Sequence, residues 1–253
     1  MLCQTTDIPG VATLVASPSE TLLGLTDTTP IQAAIRCAPP EEHTMTVKKL
    51  WDISPTVTPD APIFPGDEPY ALRWTATLTP DCPVNLSAIT MSPHVGAHAD
   101  APLHYANGAV AIAEVALDTY LGRCRVIHAI ACGPLIRIEH LHHAEAELPP
   151  RVLVRCCQRA DTQWNPEFSA FAPETVEWLA ARGVRLIGLD TPSVDPASSK
   201  SLDSHQRLLR LDLRVLENLV LDEVPEGDYE LIALPLKLAG ACASPVRAVL
   251  REL

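Results

Sequence analysis

From Met45 onward the apolar residues come in short runs punctuated by proline and glycine, which restricts the chain to a sheet of brief strands with few helices. Leu72, Trp74, Ala76 and Leu78 fall at every second position, separated by Arg73, Thr75 and Thr77, the pattern of a half-buried strand. Residues 47–53, 85–91, 123–131 and 151–157 read as further strands, and 61–67 as a loop rich in proline and glycine. Pro173 opens a helix whose apolar face is Val176, Leu179 and Ala180, and Gly183 closes it. A short apolar run over 184–189 follows. A second helical stretch is expected over 203–219, with Leu208, Leu209, Leu211, Val215, Leu216 and Leu219 as its apolar set, and 229–236 and 245–250 complete the strands.

The first 44 residues differ from the rest. They hold five of the 24 prolines, a single base at Arg36 and no sustained apolar period, so a weakly structured extension is expected ahead of a domain over 45–253. A start chosen too far upstream in gene calling explains such an extension, and a genuine tail is the rival. Its one base and five acids carry −4 of the formal −12, leaving −8 on 45–253. The chain is 47% apolar and its mean hydropathy is +0.11, enough for one large buried core.

The excess of acid argues against nucleic acid and anionic membrane surfaces as partners, because both need clustered Lys and Arg. No apolar run approaches the roughly 18 residues of a membrane span, and the N-terminus lacks the basic start of a secretory signal. Eight cysteines are scattered without a CxxC pair, with one vicinal pair at Cys156 and Cys157. Reduced thiols and a cytoplasmic location are expected.

Three of the nine histidines fall within eleven residues, as His94, His98 and His104 around Asp100. Imidazole nitrogen and carboxylate oxygen are the donors that zinc and similar metals take, and two histidines with one aspartate leave positions open for water. Gly96, Ala97, Ala99 and Ala101 are small enough to let the backbone curl so that the polar groups converge. Surface or core-satisfying histidines are the plainer alternative. A second group, His140, His142 and His143, lacks the small-residue frame and reads as a solvated face. His43 and His128 read as non-functional. His205 and Glu217 are candidates for completing the site, but on one continuous helix they would lie about three turns apart. Sharing a metal requires a bend or two separate elements.

The pattern formed by His94, Gly96, His98, Asp100, Pro102 and His104 resembles the signature of the bacterial cyclase-type metal-dependent hydrolases. Further matching stretches are Leu50-Trp51-Asp52-Ile53-Ser54-Pro55, Phe64-Pro65-Gly66-Asp67, Asp190-Thr191-Pro192-Ser193-Val194-Asp195, Leu216-Glu217-Asn218 and Ala243-Ser244-Pro245-Val246-Arg247, and together they cover essentially all of 45–253. The resemblance implies an α/β fold of the swivelling β/β/α type, a single domain with a small β-barrel-like core flanked by helices, assembled as a homodimer or higher homo-oligomer. It implies two divalent metal ions per subunit, Zn2+ first and Mn2+ second. His94, His98 and Asp100 would bind one, Asp100 and His205 the other, and Glu217 would touch both. His104 becomes the acid/base residue beside a metal-activated water. The substrate implied is N-formyl-L-kynurenine, with its ring against Phe64, where the family usually has tryptophan. Cys242 stands where a more polar residue is expected. Another aryl or cyclic amide such as isatin is the alternative substrate, and a catalytically silent metal-binding protein is the alternative of another class.

Overall fold

The computed structural model describes residues 48–253. The expected extension, with His43, lies outside the described residues. The strands are β1 (Leu50–Asp52), β2 (Ala71–Ala76), β3 (Leu86–Thr90), β4 (His98–Asp100), β5 (Leu121–His128), β6 (Leu135–Ile136), β7 (Arg151–Arg155), β8 (Ala170–Phe171), β9 (Leu186–Leu189), β10 (Arg214–Glu217), β11 (Gly227–Ile232), β12 (Ala243–Pro245) and β13 (Val249–Arg251). The helices are α1 (Pro173–Ala180) and α2 (Asp203–Leu211). One mixed sheet runs in the order β1-β13-β11-β5-β7-β9-β10-β4-β12. Its centre, β5 through β10, is parallel and its flanks are antiparallel. The fold is mixed α/β with the sheet curled into a half-barrel. The curl brings segments from distant parts of the sheet together, and the Val220 N–H donates to the Ile53 carbonyl at 2.9 Å.

Strand periodicity divides the side chains between two cores. On β7, Leu153 turns into the hollow of the curl with Ala99, Leu186, Leu216 and Leu231. Val152 and Val154 turn the other way, toward Ile187, Val215 and the helix residues Val176, Leu179 and Leu208. Burial on both faces explains why the central parallel strands read as continuous apolar runs. Each fully buried Leu or Ile contributes about 1.5–3 kcal/mol. Gly188 marks the tightest point, where an added Cβ would lie 2.5 Å from Leu153 and 3.1 Å from Leu219.

The expected helix over 203–219 is two elements. α2 stops at Leu211, Asp212 takes a left-handed conformation at φ +53, and the Leu213 N–H closes back on the Leu208 carbonyl at 3.0 Å. This left-handed close ends the helix and satisfies its last carbonyls. Arg214–Glu217 then runs as β10, with Val215 facing one core and Leu216 the other. The expected strand over 245–250 also divides, into β12 and β13. α1 forms as expected, with Pro173 in its first turn and Gly183 at φ +85 beyond its end.

Candidate metal centre

β4 lies between β10 and β12, with His98 opposite Glu217 and Asp100 opposite Val215. Because successive strand side chains alternate, His98 and Asp100 leave the same face while Ala99 turns into the hollow. Glu217, directly across from His98, shares that face. α2 packs on the same side and delivers His205. His94 precedes β4 in a turn, and His104 ends a short 3-10 turn, Pro102–His104, that follows it. The turn at Gly96 needs glycine: its φ is +71, and a Cβ there would lie 2.7 Å from Val57. Helix and strand thus converge, and His205 and Glu217 meet although twelve residues separate them.

The ring hydrogen bonds fix the tautomers of the two buried imidazoles. His98 Nδ1 donates to the Gly96 carbonyl at 2.9 Å and His205 Nδ1 donates to Asp195 Oδ2 at 2.7 Å. Each Nε2 therefore presents a lone pair. His98 Nε2 faces Glu217 Oε2 at 3.2 Å and Asp100 Oδ1 at 3.6 Å. His205 Nε2 faces Asp100 Oδ2 at 3.4 Å and Glu217 Oε1 at 3.7 Å. His94 Nδ1 lies 3.0 Å from Asp100 Oδ1. The cluster has two lobes, and both carboxylates contribute one oxygen to each.

Lone pairs aimed at carboxylates in a buried site need a cation between them. Both Nε2 atoms and both Asp100 oxygens are buried without a hydrogen-bond partner. Burial works to lower the His98 pKa, but the Glu217 and Asp100 carboxylates prevail and raise it to about 9. The same opposition raises His205 to about 10. Burial works to raise Asp100, yet His205 and His94 hold it well below the usual carboxylate range. With both rings raised in this way, protons fill the gaps in the metal-free protein, at the positions a metal ion would take. His94, His98 and Asp100 place donor atoms close enough to share one ion, as do Asp100, His104 and His205. The donor set is suited to metal.

His104 stands on the solvent side, with its side chain 35% exposed and Nε2 4.0 Å from Asp100 Oδ2. Its ring lies 4.2 Å from that of His94. Desolvation holds its imidazole below the ordinary pKa. A cavity of about 270 Å3 opens over the cluster and is lined by His94, His98, His104, His205 and Glu217. Phe64 and Trp164 line its wall, with ring centroids 4.7 Å apart. Every candidate residue read from the sequence thus lies in or beside one site. His140, His142 and His143 lie apart in short surface turns, where His143 pairs with Glu226. His128 Nε2 hydrogen-bonds with the Val224 carbonyl. Cys242 lies against the cluster, its Sγ 3.4 Å from His94 Nε2.

Sequence reasoning missed two participants. Asp195 is buried and accepts from Ser204 N at 2.9 Å, His205 N at 3.0 Å and His205 Nδ1 at 2.7 Å, so it both holds the start of α2 and orients the imidazole. Trp164 supplies the second ring of the cavity wall. The Asp190 carboxylate also gathers donors, from the Cys156 and Cys157 backbone amides at 2.9 and 3.1 Å, and clamps the end of β7 to that of β9.

The sequence pattern of the family described as "Putative cyclase" matches residues 51–196. The chain is 70% identical over 208 residues to the kynurenine formamidase of Bordetella pertussis, covering 82% of this chain and all of that one. The solved structure titled "The Structure Of Potential Metal-Dependent Hydrolase With Cyclase Activity" is similar at TM-score 0.71 and 25% identity, covering 82% of this chain and 99% of that one. Isatin hydrolase A from Labrenzia aggregata shares the fold at TM-score 0.68 and 22% identity, over 81% of this chain and 93% of that one. With a matching family pattern, a relative aligned along its whole length and this site, the chain belongs to the cyclase family and is a hydrolase.

Proposed function

We propose that the chain hydrolyses N-formyl-L-kynurenine to L-kynurenine and formate, a step of tryptophan degradation, at a centre for two divalent ions. The observation that carries this reading is the pair of lobes in which buried imidazole lone pairs face Asp100 and Glu217, in a chain 70% identical to a kynurenine formamidase. His94, His98 and Asp100 would hold one ion, and Asp100 with His205 the other. Glu217 would touch both. Imidazole and carboxylate donors suit zinc, with manganese second. Bound ions would lower the pKa of a water and polarise the formyl oxygen.

The chain's own groups supply the remaining chemistry. Desolvation lowers the His104 pKa and so favours the neutral imidazole, which is close enough to the cluster to take a proton from the attacking water. The same imidazolium then returns that proton to the departing aryl amine, which leaves poorly as an anion. Phe64 and Trp164 receive the aromatic ring, and burial with edge contacts supplies affinity. Asp195 keeps His205 in the tautomer whose Nε2 faces the centre.

The catalytic domain in this reading is residues 45–253, behind an extension over 1–44. The 208-residue alignment that spans the whole Bordetella protein supports it. No helix of the described residues is long and apolar enough to cross a membrane, and all six cysteines among them are free thiols, which favours the cytoplasm. The β2–β3 hairpin presents Leu72, Trp74 and Ile89 on one uncovered face, and a second copy in a homodimer would cover it. Purified protein, stripped of metal and then reloaded, tests the function: formation of L-kynurenine should vanish and return. Turnover that survives complete stripping, or isatin hydrolysed in preference to the formamide, would overturn it.

A further inference from the structure

The same cavity carries one feature that hydrolysis of a formyl group does not use. Among the described residues lining it, Lys200 is the one Lys or Arg, while the acids there are Asp67 and Glu217. Glu217 is engaged with His98 and His205 rather than with Lys200. Lys200 has no carboxylate within ion-pair distance among the described residues, and its exposed side chain is part of the cavity lining. Its backbone is held in place. The Ser199 N–H donates to the Pro196 carbonyl at 2.8 Å, and the Leu202 N–H donates to Ser199 Oγ at 3.0 Å. Leu202 then turns at φ +50 into α2, which carries His205. One short hydrogen-bonded segment thus ties a cation at the cavity rim to a candidate metal ligand inside it.

We infer that Lys200 is a specificity-determining residue that binds an anionic group on the substrate, the α-carboxylate of an amino-acid arm. This rests on the formamidase reading and refines it. An aryl formamide without an acid reaches the reacting atoms equally well, but it leaves the ammonium group without a partner. A hydrogen-bonded ion pair at the rim would orient the long side of the substrate while the formyl group sits at the metal lobes. Lys200 touches no reacting atom, and its influence falls on binding.

The test compares N-formyl-L-kynurenine with N-formylkynuramine, which has the same ring, ketone and formamide but lacks the carboxylate. Zinc-loaded wild-type protein should favour the acid by about ten-fold or more in kcat/KM, the scale of one charge-assisted hydrogen bond. In Lys200→Met that preference should collapse, through a rise in KM for the acid, so that the two substrates react at similar kcat/KM. Lys200→Arg should restore part of the preference. An equal fall for both substrates would mark Lys200 as merely structural, and an unaltered preference would exclude it from recognition; either overturns the proposal. If wild type hydrolyses neither compound, the formamidase reading fails on its own. Lys200 is then judged by binding of L-kynurenine against kynuramine to wild type and Lys200→Met, where equal affinities throughout overturn the inference.

Discussion

Replacing Asp195 by Asn changes one atom of a buried carboxylate that accepts three hydrogen bonds, two from backbone amides of α2 and one from His205 Nδ1 at 2.7 Å. The amide side chain keeps one acceptor oxygen and presents an NH2 group where the other stood. If the oxygen stays with His205, the Ser204 N–H faces a donor, and one unsatisfied buried amide costs about 1–3 kcal/mol of fold stability. If the oxygen turns to Ser204, the His205 ring loses the group that holds its Nδ1 proton, and Nε2 no longer points a lone pair into the centre. Loss of such an orienting partner weakens metal binding by about 10- to 100-fold, or about 1.4–2.7 kcal/mol. The assay is a competition titration with a chromophoric chelator on wild type and Asp195→Asn, together with thermal unfolding. One of the two ions should bind more weakly in the variant, the other should keep its affinity, and excess metal should recover much of the lost kcat. Wild-type affinity for both ions in a variant that folds would refute the role given to Asp195.

His104→Ala should lower kcat by about 10²- to 10⁴-fold while metal content stays at the wild-type level, measured by steady-state kinetics and elemental analysis. If the proposed homodimer forms through the hairpin, Ile89→Asp, on the exposed face shared with Leu72 and Trp74, should halve the mass seen for wild type in light scattering, and an unchanged dimer mass would remove the hairpin from the interface. Metal-stripped protein should lose thermal stability as pH rises. His98 and His205 have folded pKa values raised to about 9 and about 10. Their contribution is therefore fully present below the unfolded value of roughly 6.5 and is lost as pH climbs through 9 and 10. Metal-loaded protein should lack that decline, because its Nε2 atoms carry no proton; parallel melting curves for the two forms would contradict it.

The grouping of His94, His98, Asp100 and His104 is legible in the sequence as a cluster of metal-ligand types among small residues, whereas the strand that puts His98 and Asp100 on one face is not, because the small residues there fit a curled backbone equally well. Glu217 is only a weak candidate on spacing, and the resemblance is what raises it. Its leucine-rich surroundings fit a helix, and Asp212, the residue whose left-handed turn ends α2, is no different in type from the aspartates that helices tolerate. Once β10 forms, Glu217 stands opposite His98 and the problem of distance disappears. Asp195 and Trp164 escape for another reason. Each acts through a neighbour remote in sequence, ten residues away for His205 and a hundred for Phe64, and no local pattern records such a contact. The strands of the sheet centre are readable as apolar runs, whereas their order, with β4 arriving between β10 and β12, is set by packing of the curl.

One titration tests the proposed two-metal hydrolytic centre most directly. Apoprotein is reloaded stepwise with zinc while L-kynurenine formation is followed, for wild type and for Asp100→Asn, which removes the carboxylate whose two oxygens face both lobes. Activity in wild type should rise until two equivalents are bound, and Asp100→Asn should bind neither ion tightly and remain inactive. Full activity at zero equivalents, or two tightly bound ions in Asp100→Asn, would contradict it.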